Sequence, residues 1–284
     1  MRTYRKQVVI VGTARSGTSW LSETLSRQFR YRLLFEPEHE TKTKDGHLLS
    51  DQWLVSSQSN KEANRYLKRI FANRVDSDWI AQNSNRTFKR HLWPWIPKKY
   101  IIKFVRANLS AKYVNEVFDI PVIHVIRNPY DVIKSQLRSN FSWLTDLSIY
   151  ARQEALVTLI KDHFGLDILD YKNYSKVELL CLRWCIENVI PLEVLEPYKG
   201  KSLVIKYEDL ISDISLFYDL CHQFQLEPIN NLETYYKTPS SKTHKNSVIR
   251  TQKPQEFVWN TSDLEQINDM LEIFKTKLYP RKNN

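Results

Sequence analysis

The stretch VVIVGTARSGTSWLSETL, residues 8–25, decides the fold. Its four apolar residues, Val8 to Val11, predict a short buried strand, and a helix is predicted to follow from Thr18 to Phe29. The loop between them has glycines at positions 12 and 17. This is the spacing of the phosphate-binding pattern G-x-x-x-x-G-K-[ST], except that Thr18 stands where that pattern has lysine.

The loop also carries groups that bind oxyanions. Gly12 and Gly17 allow backbone N–H groups to point inward around an anion, and Arg15 adds a positive charge. Hydroxyl donors come from three neighbours, Ser16, Thr18 and Ser19. The combination predicts a phosphate-binding loop, and the alternative is an ordinary strand-to-helix turn.

Composition limits the class of protein. The chain has 284 residues, of which 42% are hydrophobic, so we expect it to bury a sizeable core and to fold. Its net charge of +10 favours anionic partners such as nucleotides, phosphate or sulfate groups, nucleic acid or an acidic membrane face. Three cysteines without a C-x-x-C pair fit a reducing compartment. The sequence shows neither an apolar leader nor a run of 18 apolar residues, so we expect a cytoplasmic protein without a membrane span.

Apolar β-branched runs alternate with helical patterns along the chain, which predicts an α/β fold with a parallel central sheet flanked by helices. Further strands are predicted in RLLFEP up to Glu36, at Tyr100–Val105, at Val122–Ile126 and in KSLVIKYEDL. The other predicted features are a helix at Asp51–Gln58, one at Lys61–Ala72 and a long helix that kinks at Pro191. We expect a single domain over residues 1–284, with insertions on the acceptor side at 38–95 and 140–172.

Several charged residues follow the predicted strands directly. Because ligands bind at the carboxyl ends of strands in an open parallel sheet, Glu36, Arg106 and Arg127 are expected at one edge. Ser135 comes eight residues after Arg127 in VIHVIRNPYDVIKSQLRS, so the two can bracket a second phosphate, separate from the first. The alternative is a surface arginine paired with Asp131.

These motifs resemble those of the sulfotransferase family. GTARSGTSW is similar to the loop that holds the 5′-phosphosulfate of 3′-phosphoadenosine 5′-phosphosulfate (PAPS), and VIHVIRNPYDVIKSQL to the motif whose arginine and serine hold its 3′-phosphate. SLVIKYEDL resembles a later strand and turn of the same fold, and LLFEP resembles the segment that supplies a glutamate base in carbohydrate sulfotransferases. Arg15 and Glu36 stand where small-molecule sulfotransferases usually have lysine and histidine, which favours the carbohydrate-type branch.

The resemblance implies PAPS as donor, no metal, and a hydroxyl-bearing acceptor, expected to be a sugar. Glu36 would be the base and Arg15 would stabilise the leaving phosphate; the alternative for Glu36 is a structural salt bridge with Arg15 or Arg106. The implied donor contacts are Arg15, Ser16, Gly17, Thr18, Ser19, Trp20, Arg127, Ser135 and Arg250. Core packing is an equal alternative for Trp20. A solvated loop is an equal alternative for the basic stretch 237–254, which contains Arg250.

Two other functions stay open at this point. A P-loop kinase or NTPase would need lysine at position 18 and an acidic residue at a strand end for Mg²⁺. A nucleotide- or nucleic-acid-binding module without catalysis is compatible with the net charge, but we find no motif of a nucleic-acid-binding fold and expect no nucleic-acid partner. The sequence does not indicate an oligomeric state.

Overall fold

Five parallel strands form the centre of the fold in the order β2-β3-β1-β4-β5. This computed structural model describes residues 4–58, 60–82, 97–241 and 259–282. The strands are β1 (Gln7–Val11), β2 (Tyr31–Phe35), β3 (Lys99–Phe104), β4 (Val122–Ile126) and β5 (Ser202–Lys206).

Helices connect and cover these strands. In chain order they are α1 (Thr18–Ser26), α2 (Lys61–Phe71), α3 (Asp78–Ala81), α4 (Ala111–Phe118), α5 (Pro129–Ser139), α6 (Ser148–Ala151), α7 (Glu154–Phe164), α8 (Lys176–Val189), α9 (Tyr207–Ser212), α10 (Ile214–Phe224), α11 (Leu232–Tyr236) and α12 (Thr261–Ile273). The predicted α/β class, a parallel central sheet flanked by helices, is confirmed.

Side chains alternate between the two faces of the sheet, as strand geometry requires. On β1, Val8 and Ile10 belong to a cluster with residues of α1 and α10, whereas Val9 and Val11 belong to a cluster with residues of α2 and α4. A third cluster joins α5, α8 and α12 to Ile126, at the carboxyl end of β4. Helix α8 is thereby packed next to the sheet edge where the functional residues were predicted.

The helix predicted at Asp51–Gln58 is wrong, because the backbone there bonds to distant elements. Asp51 has a left-handed φ of 54°, and its N–H donates to the Arg106 carbonyl at 2.6 Å. The N–H of Trp53 donates to the Gln153 side chain, and that of Leu54 to the Ser110 hydroxyl. Tertiary bonds therefore take the donors that a helix would use internally.

Two other sequence predictions can be compared with the described residues. The long helix ends at Val189, and Pro191 lies in the wide turn Ile190–Val194 that follows it. In the described ranges, no helix has the length and apolarity needed to cross a bilayer. The acceptor-side insertions at 38–95 and 140–172 stay predictions, and residues 83–96 lie outside the described part.

Candidate functional site

The carboxyl ends of the strands meet at one edge of the sheet. Val11, the last residue of β1, is in register with Phe104 on β3 and with His124 on β4, and Phe35 on β2 is in register with Lys103. The loops that follow these strands therefore start side by side. The His124 ring is fully buried and contacts the Tyr198 hydroxyl at 2.9 Å, as expected for a core residue, and burial lowers its pKa to about 3.

Backbone geometry at two points fixes the loop after β1. Gly17 has φ +91°, and a Cβ there would lie 2.2 Å from the ring of Tyr207. A Cβ on Gly12 would lie 2.4 Å from the carbonyl oxygen of Val125. Arg15 also has a positive φ, 78°, and the N–H of the next residue, Ser16, donates back to the Thr13 carbonyl at 3.0 Å, which closes a turn within the loop.

Side chains from two helices hold the loop from outside. The Gln136 amide on α5 donates to the Ala14 carbonyl at 3.0 Å. The Asn188 amide on α8 donates to the Thr13 hydroxyl at 2.7 Å. The loop is thus fixed before any ligand is considered, which is what an electrostatic binding site requires.

Arg15 and Arg127 lie against each other. The Arg127 Nη1–H donates to the backbone carbonyl of Arg15 at 3.0 Å, and the Arg15 Nε–H donates to the Ser135 hydroxyl at 3.0 Å. Burial and the nearby charge of Arg127 lower the pKa of Arg15. Neither guanidinium has a carboxylate partner within the described residues. The two predicted phosphate sites are therefore adjacent, and together they form a locally uncompensated positive region.

The buried polar atoms of this region that have no hydrogen-bond partner among the described residues include two donors, the Ser16 hydroxyl and the Arg127 Nε–H. Buried donors of this kind are costly unless something accepts from them. The first-turn N–H groups of α1, from Thr18 to Trp20, also lack partners within the helix. An anion at the start of α1 would supply the missing acceptors.

Tyr207 is a site residue that the sequence reasoning missed. Its ring lies over Gly17, and the Arg127 guanidinium lies 4.8 Å from the ring centroid. Tyr207 follows β5 directly, so the rule that selected the other strand-end residues would have found it. The Trp184 indole N–H, from α8, donates to the Arg127 carbonyl at 3.1 Å and fixes the backbone there.

One predicted donor contact, Trp20, packs in the core, and another, Arg250, is not among the described residues. The Trp20 ring, 8% exposed, packs edge-on against aromatic rings including Tyr236, and its N–H donates to the Tyr236 carbonyl at 3.2 Å. This placement matches the core-packing alternative. Arg250, with most of the basic stretch 237–254, lies outside the described residues.

Glu36 lies at the other end of the same edge, directly after β2. Its carboxylate contacts Lys103 Nζ at 2.5 Å and Arg106 Nη1 at 3.5 Å. Burial alone would raise the pKa of Glu36, but the charges of Lys103 and Arg106 outweigh burial and hold the pKa below its usual value. The salt-bridge alternative was right about Arg106, whereas Lys103, the closer partner, was not foreseen.

The segment after Glu36 adds a second buried carboxyl. Glu38 Oε1 accepts from the backbone N–H groups of Val105 and Arg106 at 2.6 and 3.1 Å. Burial, followed by the charge of Glu36, raises the pKa of Glu38 to about 7. The half-buried ring of His39 is a further candidate base, because burial and the charge of Arg106 lower its pKa and favour the neutral form.

Arg106 connects this acidic segment to an aromatic side chain. Its guanidinium lies 3.8 Å from the ring centroid of Trp143, and its Nε lies 3.4 Å from Glu40. Two sequence patterns mark this region: the alternating acids in EPEHE and a lysine within the apolar run IIKFV. Neither pattern indicates which cation pairs with which acid.

No protein-family model matches the chain, and neither does any curated protein. Two solved structures similar to it are sulfotransferases. The sulfotransferase domain from the curacin biosynthetic pathway is 16% identical with a TM-score of 0.44, and the similarity covers 97% of this chain and 93% of that one. Sulfotransferase STF9 from Mycobacterium avium is 12% identical with a TM-score of 0.47, covering 99% and 79% respectively. Similarities this weak decide nothing about the activity, which has to be inferred from the site.

Proposed function

We propose that this protein is a sulfotransferase that moves a sulfonate group from PAPS to an acceptor hydroxyl. The observation that carries the proposal is the contact between Arg15 and Arg127. The Arg127 guanidinium donates to the backbone carbonyl of Arg15, so two half-buried arginines lie side by side. Neither has a carboxylate partner among the described residues, which favours a ligand with more than one negative charge. PAPS carries a phosphosulfate and a separate phosphate on one adenosine.

The chemistry of the loop fits the phosphosulfate end of this donor. The Ser16 hydroxyl, the Arg15 guanidinium and the first-turn N–H groups of α1 can all donate to its oxygens. Thr18, Ser19 and Gly17 belong to the same turn, and the Lys that would reach a terminal phosphate of ATP is absent. Arg127 and Ser135 would hold the 3′-phosphate. Arg250 stays a predicted contact.

In the proposed reaction, the acceptor oxygen forms a bond to sulfur as the bond from sulfur to the 5′-phosphate oxygen breaks. Negative charge grows on that leaving oxygen, where Arg15 and the loop N–H groups can stabilise it. Glu36 would accept the proton of the acceptor hydroxyl, since its lowered pKa keeps the carboxylate ionised at neutral pH. Because β3 separates β2 from β1, Glu36 lies about 10 Å to the side of the loop, which leaves room for an acceptor.

A sugar hydroxyl is the acceptor we propose, on the basis of Glu36 and the aromatic residues near it. Trp143 is half-buried beside Arg106, and tryptophan faces stack on sugar rings. A second aromatic stretch, FKRHLWPWIPKKY at residues 88–100, is another candidate for acceptor contacts, but its residues 88–96 lie outside the described part of the chain. Position and identity of the sulfated sugar do not follow from these contacts.

A transfer assay tests the proposal. PAPS labelled with radioactive sulfur is incubated with a panel of phenyl glycosides, glycolipids and long-chain alcohols, and labelled product is separated. We expect transfer to at least one glycoside, and loss of transfer in Arg15→Met and Arg127→Met. Hydrolysis of ATP with Mg²⁺ would favour the kinase or NTPase alternative. Salt-sensitive binding to DNA or RNA without turnover of PAPS would favour the non-catalytic module.

A further inference from the structure

Arg183 on α8 is a buried arginine that donates to one short stretch of backbone. Its side chain is 1% exposed. Its Nε–H donates to the Leu144 carbonyl at 2.9 Å, and its Nη2 donates to the carbonyls of Trp143 and Asp146 at 3.2 and 2.8 Å. One rigid guanidinium therefore fixes three of the four residues between 143 and 146.

The other nitrogen of the same guanidinium contacts two buried acids. Nη1 lies 3.0 Å from Asp51 Oδ2 and 3.0 Å from Glu187 Oε1. The Tyr150 hydroxyl also lies 3.0 Å from an oxygen of each acid. A hydroxyl has one proton to donate, so both contacts are favourable when one of the acids is itself protonated. Burial supports this by raising the pKa of Glu187 to about 7, against the opposing charge of Arg183.

Helix α8 connects this cluster to the donor loop. Glu187 follows Arg183 by one helical turn, and the next residue, Asn188, donates to the fully buried Thr13 hydroxyl at 2.7 Å. The Thr13 hydroxyl also lies close enough to the Glu187 carboxyl to lower its pKa. A single rigid element thus contacts both the phosphate-binding loop and the backbone around Trp143.

The residues that Arg183 holds contact the proposed acceptor side. The Trp143 ring carries the guanidinium of Arg106 at 3.8 Å, and Arg106 lies 3.5 Å from Glu36. A second route reaches the same residue, because the Asp51 N–H donates to the Arg106 carbonyl at 2.6 Å. Two partners of Arg183 outside α8, Trp143 and Asp51, are therefore in contact with Arg106.

We propose that Arg183 is a positioning residue for sulfonate transfer, an inference that rests on the proposed function. From α8 it holds Trp143, and with Asp51 it holds Arg106, so that the acceptor side keeps a fixed position relative to the loop that binds the donor. Arg183 does not touch either substrate. Displacements of about 1 Å in such supports can lower transfer by about a hundredfold.

Arg183→Lys is the variant that tests the proposal, because lysine keeps the charge but cannot donate to three carbonyls and two acids at once. The matched control is Arg32→Lys. Arg32 is also buried, and it bonds to Asp76 at 3.1 Å near the amino end of β2, away from the site. Melting curves identify a temperature at which both variants are folded, and kinetics are measured there with the best acceptor from the glycoside panel.

For Arg183→Lys we expect kcat/KM for the acceptor to fall by about ten- to a hundredfold, while the Kd of adenosine 3′,5′-bisphosphate stays within about threefold. Arg32→Lys should match the wild type in both quantities. An acceptor kcat/KM in Arg183→Lys equal to that of Arg32→Lys overturns the proposal, and so does an equally large loss of bisphosphate binding. If the wild type does not bind the bisphosphate, the proposed function itself fails, which is a different result.

If Arg183→Lys does not fold, Asp51→Asn is used to test the proposal instead. Asparagine tolerates the left-handed φ of 54° at this position, and Glu187 remains to balance the charge of Arg183. We expect a smaller loss of acceptor kcat/KM, about three- to tenfold, with bisphosphate binding unchanged. The variant Trp143→Leu completes the test: added to Arg183→Lys it should cause less than the additive loss, because Arg183 acts in part through Trp143. Fully additive losses contradict the proposal.

Discussion

The two halves of the candidate site are built differently. On the donor side, the Arg127 guanidinium donates to the Arg15 backbone carbonyl, and neither arginine has an acid partner among the described residues. On the acceptor side, Lys103 and Arg106 both pair with Glu36, and Arg106 also approaches Glu40. The donor side therefore needs an external anion to balance it, whereas the acceptor side is balanced by its own residues. We therefore expect the donor side to supply most of the binding free energy for the donor, and the acceptor side to accept the proton of the acceptor hydroxyl.

The largest expected effect is the loss of turnover when the proposed catalytic base, Glu36, is replaced. Glu36→Gln should lower kcat for transfer by about 10²- to 10⁴-fold, because the amide cannot accept the acceptor proton. Bisphosphate binding, measured by calorimetry, should not change, since Glu36 contacts acceptor-side cations only. His39→Gln is the matched control and should retain kcat within about tenfold. The reverse pattern would make His39 the base and leave Glu36 as a structural ion pair.

Next in size is a backbone effect on the donor side. Gly17→Ala places a methyl group where the Tyr207 ring lies, 2.2 Å away, in addition to the strain of φ +91°. We expect bisphosphate binding to weaken by about a hundredfold, measured by calorimetry. Gly165→Ala is the control, because Gly165 also has a positive φ, +68°, but a Cβ there meets nothing within 4 Å. It should cost only about 1–2 kcal/mol of stability and leave binding unchanged; equal effects on binding would contradict this view of the loop.

A third pair of variants exchanges an arginine in each half. Arg127→Gln should weaken bisphosphate binding by about 1.5–3 kcal/mol, the usual value of a hydrogen bond to a charged group. Arg106→Gln should leave that binding unchanged and lower acceptor turnover, because it disturbs Glu36 and Trp143. Calorimetric titration of both variants with the bisphosphate, at the same salt concentration, compares their binding. If Arg106→Gln weakens bisphosphate binding as much as Arg127→Gln, the two halves are not independent.

The smallest effect concerns the pH dependence of stability on the acceptor side. Burial and the charge of Glu36 raise the pKa of Glu38 from 4.5 to about 7, against the opposing effects of Arg106 and two backbone N–H groups. Burial raises the pKa of Tyr66 on α2, and the charge of Glu38 in turn adds to that rise. The folded state therefore binds an extra proton between these values, so the stabilising contribution present below pH 4.5 is lost as the pH rises through about 7. Glu38→Gln removes this dependence.

Between about pH 5 and pH 7, the wild type should lose about 2 kcal/mol of stability relative to Glu38→Gln. Urea unfolding at several pH values measures the difference. A constant difference over that range would mean that Glu38 titrates normally in the folded protein.

The two halves also differ in how far the sequence predicts them. The strand, the two loop glycines, Arg15 and the Arg127–Ser135 spacing are local patterns, and local patterns set local geometry. The pairing of Glu36 with Lys103 and the contact of Arg106 with Trp143 depend on strand order and on a segment about forty residues away, which no local pattern encodes. The failed helix at Asp51–Gln58 has the same cause, since its donors are taken by Arg106, Gln153 and Ser110.

The central claim is that Arg15 and Arg127 hold one adenosine that carries phosphate at both ends. Calorimetry of the wild type with adenosine 3′,5′-bisphosphate and, separately, with ATP and Mg²⁺ tests it most directly. We predict that the bisphosphate binds at least about a hundredfold more tightly, and that Arg15→Met and Arg127→Met each remove about 1.5–3 kcal/mol of that binding. Equal or tighter binding of ATP with Mg²⁺, or bisphosphate binding that survives both substitutions, would contradict the account.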